Sequence, residues 1–258
     1  MPKKHGAWAA LATALLLGLW SKAALRVEVL LFVVAAVAAF VLHHYLGLWL
    51  RPRAGGRPSG VPVGALGAGA VAMLAGFGAA FLSQRSAVLW ICGAGAALVG
   101  LSLAMERLRL DRTLWGEIVG MVGLTLTLPA TAYVVARGPP SVEAWLAWAY
   151  AAMFFCGSVF RVRLLVRERK ALAAGLRARL LAGSPGALVH LLMLAAAAWL
   201  ATRAGVTWLA AASLVPTVLF AVVVLVRPPS RPIPIRHVGY LELGENVVFL
   251  LILLAFLP

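Results

Sequence analysis

Residues 145–170 read WLAWAYAAMFFCGSVFRVRLLVRERK: sixteen residues without a charge, then five cations in the last ten. An apolar helix needs about 20 residues to cross roughly 30 Å of hydrocarbon, and the residues just before Trp145 bring this run to that length. The run is continuous and does not alternate, which excludes a barrel strand. The stretch therefore reads as a membrane-crossing helix that ends in a basic collar.

Outward from it the same pattern recurs along the chain. Candidate spans fall near 6–20, 27–46, 61–82, 87–104, 114–136, 141–160, 187–203, 205–226 and 239–257. The composition agrees, with 63% hydrophobic and 12% charged residues and a mean hydropathy of +0.98. Soluble domains carry about a quarter of charged residues, so a soluble fold is excluded. The expected fold is all-α: a polytopic transmembrane bundle of about nine spans, forming one domain over residues 1–258. The pairs within 61–104 and 187–226 are joined by so little chain that they read as helical hairpins. The segments RPRAGGRPSGVP and RPPSRPIPIR are Pro- and Gly-rich breakers too short to fold alone. The opening PKKHGAWAALATALLLGLWSKAAL has the composition of a secretory signal, but spans continue to the last residue, and an uncleaved first helix does the same targeting work.

The net charge of +15 does not point to nucleic acid, because the cations sit in short loops between spans. Counted over alternate loops, 18 Lys and Arg fall on the side of the N-terminus and 5 on the other. The positive-inside rule then puts the N-terminus in the cytoplasm and the C-terminus outside. On this map His5, His43, His44, His190 and His237 lie at or beside cytoplasmic span ends. So do Glu106, Glu117, Glu242, Glu245 and Asn246. Ionisable groups within spans mark functional sites by default, so any chemistry faces the cytoplasm.

If the helix continues past residue 160, Arg163, Arg167 and Lys170 share one stripe, and Arg161 and Arg169 point elsewhere. Such a collar can simply rest on anionic lipid. Facing it are acids: Glu117 a turn into the fifth span, and Glu242, Glu245 and Asn246 at i, i+3 and i+4 of the ninth. Buried carboxylates need partners, so one reading is a structural clamp between the fifth, sixth and ninth helices. The other is a mouth whose arginines bind a phosphate or diphosphate head through bidentate guanidinium contacts.

PKKHGAWAAL, RTLWGEIVGMVGLTLTLPATAYV, SVFRVRLLVRER and IRHVGYLELGENVVF, in that order and spacing, resemble the YwiC-like family of bacterial integral membrane proteins. The resemblance spreads over nearly the whole chain and implies the inner membrane. More remotely, the nine-span layout looks like the UbiA superfamily of prenyltransferases. There, Asp-rich motifs after the second and sixth spans hold Mg²⁺ and an isoprenoid diphosphate. The corresponding places here read HHYLGLWLRPR and FRVRLLVRER, and Asp111 is the single aspartate in the chain. Mg²⁺ prefers carboxylate oxygens, so Mg²⁺-dependent prenyl transfer is not expected and no catalytic residue carries over. A metal-free anion site built from Arg161, Arg163, Arg167, Arg51 and Arg53 is the expectation that follows. Glu117, Glu242 and Glu245 would orient it, with Asn246 as a supporting polar residue, and His5 or His44 could exchange protons. The partners expected are membrane lipids and an isoprenoid or lipid phosphate, with no cofactor and no metal.

Other constellations carry less. His43 or His44 with His190 raises a haem alternative, but adjacent histidines point about 100° apart on a helix and no cluster is evident. The four lysines lie outside span centres, which excludes a retinal Schiff base. Cys92 and Cys156 fall at opposite depths and read as small buried hydrophobes. The TLTLPATAY midsection of the fifth span reads first as packing, with threonines satisfying their own helix. A transport pathway would use a similar break in the other half, for which Pro216 is the candidate. A transporter of a small solute or ion is thus the second class of function.

Overall fold

A computed structural model describes residues 5–20, 26–50, 63–84, 87–110, 113–168, 175–204, 208–226 and 234–256. Among them every regular element is helical: α1 (His5–Trp20), α2 (Val27–Leu50), α3 (Val63–Gln84), α4 (Ala87–Arg107), α5 (Leu114–Thr125), α6 (Thr127–Ala136), α7 (Val142–Val166), α8 (Leu176–Ala204), a 3₁₀ segment (Trp208–Leu214), α9 (Val215–Val226) and α10 (Ile235–Phe256). Each expected segment coincides with one of these helices or with a helix pair. Five stretches are long and apolar enough to cross a bilayer: Val27–Trp49, Leu114–Ala136, Val142–Val166, Leu176–Arg203 and Arg236–Ala255. Gly6–Trp20, Leu66–Gly78 and Ala211–Val226 are shorter apolar helices. The protein is an all-α membrane protein.

The chain divides into two compact units, Met1–Trp145 and Leu146–Pro258. In lipid there is no hydrophobic drive between helices, so close backbone approach must supply the attraction. The first unit uses glycines for this. A Cβ added at Gly76 of α3 would fall on Ala35 and the Leu31 carbonyl of α2. One added at Gly18 of α1 would lie 2.6 Å from Thr131 Cβ and 2.7 Å from the Leu128 carbonyl of α6. Around these seams Val29 and Phe32 of α2 pack with Tyr133, Val134 and Val135 of α6. Leu11 and Leu15 of α1 meet Ala36 of α2, and beside them Trp8 and Phe40 stand edge to face at 4.7 Å.

The break between α5 and α6 has a local cause. Pro129 has no N–H to give the Thr125 carbonyl, and the helix is interrupted at Leu126. The neighbouring hydroxyls turn back on their own chain: Thr125 Oγ1 donates to the Val122 carbonyl at 3.0 Å, Thr127 to Leu124 at 2.7 Å and Thr131 to Thr127 at 2.6 Å. This is the packing reading of TLTLPATAY. The α6 C-terminus then collects cations, as its dipole favours. Arg26 Nη2 donates to the Val135 carbonyl at 2.6 Å, and the left-handed C-cap residue Arg137 pairs with Glu28.

In the second unit α9 lies along α8, and the 3₁₀ segment packs against α8 and α10. Leu225 of α9 occupies the space a side chain at Gly183 of α8 would need. The Tyr150 hydroxyl of α7 donates to the Ala197 carbonyl of α8 at 2.9 Å. Phe154 of α7 stacks on Phe249 of α10 with centroids 4.3 Å apart. Leu164, Leu165, Val224, Leu225 and Val238 close one end, which brings the C-terminus of α7 level with the end of α9 and the start of α10. Two boundaries differ from expectation. Helix α7 runs on to Val166, and α8 begins at Leu176, eleven residues before the expected 187, with Pro185 inside it.

Candidate functional site

The extension of α7 places Arg161 inside the protein. Its side chain is 2% exposed, although it belongs to the segment expected to be a collar. Nη2 donates to Glu242 Oε1 at 2.9 Å, and Nη1 pairs with Glu245 Oε2. The guanidinium also lies 5.7 Å from the centroid of the Phe220 ring on α9, within cation–π range. Glu242 and Glu245 stand at i and i+3 of α10, so both reach the same cation from one helix face. A guanidinium is the cation suited to this role, since its planar fork can serve two carboxylates at once.

Neutral polar side chains surround the pair. Ser158, one turn before Arg161, is buried beside Glu242 and donates to the Phe155 carbonyl at 3.1 Å. Thr217 of α9 is buried beside Glu245, and Asn246 of α10 is buried next to it in sequence. His190 is 2% exposed near the middle of α8. Its Nδ1 lies 2.6 Å from the Gly186 carbonyl, an acceptor, so Nδ1 carries the proton and Nε2 presents a lone pair. That Nε2 has no hydrogen-bond partner among the described residues and faces Gly157 of α7, one turn before Arg161. A Cβ at Gly157 would sit 3.1 Å from it, so glycine makes room for the ring. The expectation that placed His190 at a span end rested on a helix beginning at 187. The added turns from Leu176 move it to mid-helix.

Beside this centre α9 and α10 form an open groove of about 530 Å³. Its walls are Leu219, Phe220 and Val223 of α9 with Leu241 and Val248 of α10, and Glu245 is its acidic member.

The other expected residues are distributed as follows. Arg163 is half-buried and Arg167 exposed, on the stripe that diverges from Arg161. Glu117 opens the first turn of α5 in the first unit, behind the N-cap Thr113, whose hydroxyl accepts from Gly116 N at 3.3 Å. The carboxylates that meet Arg161 come from α10, so the observed clamp joins α7 to α10. His44 lies half-buried on α2. Arg51 and Arg53 lie outside the described residues, as does the side chain of His5. Among the described residues no three His, Cys, Asp or Glu side chains are grouped as a metal ion would need.

The first unit has a polar seam that the sequence reading did not assemble. His43 Nε2 of α2 lies 3.2 Å from Ser102 Oγ of α4. One turn on along both helices, buried Glu106 lies over Gly47, where a Cβ would overlap its carboxylate. The signal was present as two matching four-residue steps, His43 to Gly47 and Ser102 to Glu106.

In comparison with known proteins, the model of the family described as YwiC-like protein matches residues 1–132. Those residues fall within the first unit. No curated protein and no solved structure matches the chain.

Proposed function

The chain belongs to the YwiC-like family, and from that premise we propose that it binds an isoprenoid or lipid with an anionic head at the cytoplasmic face of the bacterial inner membrane. The observation that carries this reading is the groove between α9 and α10. It is apolar and open, of a size suited to a ligand chain, and Val223 and Tyr240 are among its walls. The cluster of Leu164, Leu165, Val224 and Val238 puts the end of α7 at that same level. The head would then lie at the level of the basic end of α7, where Arg163 and Arg167 carry guanidinium forks of the kind that suit a phosphate without a bridging metal. Arg161 is engaged by two carboxylates and serves as a positioning residue for the groove wall, through Glu245 and Phe220. The excess of 18 cations over 5 supports a cytoplasmic N-terminus and an outer C-terminus.

Native mass spectrometry of gently purified protein without added Mg²⁺ tests this. A polyprenyl phosphate or anionic lipid should remain bound to the wild type. It should be lost both from the double variant Arg163→Ala/Arg167→Ala and from Val223→Trp, which fills the groove. Equal retention by all three proteins would overturn the reading. A transporter is the second reading, favoured by the charged centre inside the apolar helices α7 and α10, and it would show as flux in proteoliposomes.

A further inference from the structure

Among the described residues the buried centre of the second unit does not balance its charges. Arg161 contributes one positive charge, and Glu242 and Glu245 contribute two negative ones when ionised. The elements packed around it offer little else. The polar neighbours are Ser158 of α7 beside Glu242 and Thr217 of α9 beside Glu245, both neutral, and on α10 the buried, neutral Asn246 follows Glu245 in sequence. Helix α9 and the 3₁₀ segment contain no charged residue. Helix α8 supplies His190, whose neutral Nδ1–H form points an Nε2 lone pair, unpartnered among the described residues, at the face of α7 that carries Gly157 and Arg161. A single excess negative charge in an apolar interior is not tolerated as such. The group either takes up a proton or holds a cation.

We infer that the Arg161–Glu242–Glu245 centre is a binding site for one exchangeable proton, with His190 as its neighbouring base. The proton adds to a carboxylate oxygen of the glutamate pair, giving one carboxylic acid and one carboxylate around the guanidinium, and water is the donor and acceptor for the exchange. Occupied in this way the site is neutral, and the guanidinium keeps both contacts. Access is built in. Arg161 is 2% exposed, but the side chains of Glu242 and Glu245 are 17% and 14% exposed, and Glu245 lines the groove. A metal cation is the competing occupant, and the described side chains disfavour it, because Arg161 already occupies the position between the two carboxylates. The inference stands apart from lipid binding: a centre of this kind holds its proton whether or not the groove is filled.

Infrared difference spectroscopy on the full-length protein in proteoliposomes reads the site directly. At neutral pH the wild type should show the carbonyl stretch of one protonated carboxylic acid, shifted by ²H₂O exchange. Glu245→Gln and Glu242→Gln, each of which leaves one carboxylate for Arg161, should each lose that band. His190→Gln should keep the band and move the pH at which it titrates. Absence of the band in the wild type at neutral pH would overturn the inference. So would its survival in both glutamine variants, or its appearance only when Na⁺ and K⁺ are withdrawn. Because the wild-type spectrum alone can refute it, a variant that fails to fold does not protect the idea.

Discussion

The two units each bury glutamate among apolar helices and solve the problem by different means. In the first, Glu106 of α4 lies over a glycine of α2, one turn from a His43–Ser102 contact. In the second, Glu242 and Glu245 share one buried guanidinium, and a histidine whose Nε2 has no partner among the described residues stands by. The first unit is held by close approach, with Gly18 and Gly76 bringing backbones together and threonines returning their hydroxyls to their own helices. The first also has an ion pair, Arg137 with Glu28, but at an exposed arginine, whereas the second joins two helices through a buried one. The difference teaches where the protein should be fragile: one unit to added volume, the other to a lost charge.

Removing the cation should give the largest effect. Arg161→Met leaves the glutamate pair in an apolar interior without its guanidinium, and breaking a buried pair in this way costs about 3–5 kcal/mol. Unfolding in mixed detergent should show that loss. The triple variant Arg161→Met/Glu242→Gln/Glu245→Gln removes the charges together and should return close to the wild type. A single Arg161→Met variant as stable as the wild type would mean that the clamp does not hold α7 to α10.

Added volume comes next, and the glycines differ among themselves in an instructive way. At Gly76 a methyl group meets the Leu31 carbonyl and Ala35, which can yield only if α2 and α3 move apart. At Gly47 it meets the end of the Glu106 side chain, which can rotate. Gly76→Ala should therefore destabilise by about 1–3 kcal/mol, as overpacking does, and Gly47→Ala by clearly less. The reverse order would show that Glu106 is fixed as firmly as backbone.

How much of this was legible follows from what each signal encodes. Long uninterrupted apolar runs report span existence, so every expected segment meets a helix, and Pro129 correctly locates the break in Leu114–Ala136. Hydropathy fails where a helix carries charge or punctuation. Helix α8 begins earlier than hydropathy suggests because Arg177 and Arg179 count there as loop cations, although they and Pro185 lie within the helix. The acids of α10 were readable as one face from their spacing. Which arginine meets them was not, because a helical stripe gives relative directions and says nothing of where the neighbour lies. The stripe of Arg163 and Arg167 and the opposite position of Arg161 were equally good candidates until packing turned Arg161 inward. His190 needed the longer α8 before its depth could be seen.

The smallest expected effect sharpens the contrast from the neutral side. If the α2–α4 seam is held by fit, the His43–Ser102 contact at 3.2 Å should add little on its own. A double-mutant cycle of His43→Ala and Ser102→Ala isolates the pairwise term, since each single variant removes the contact and the double removes it once. Interhelical hydrogen bonds in membranes couple by about 0.6 kcal/mol on average, because the separated helices find other partners in the same bilayer. That value is expected here, well below the loss for Arg161→Met. A coupling as large as the arginine effect would mean that His43 and Ser102 belong to one network with Glu106, and the first unit would then depend on charge as much as the second.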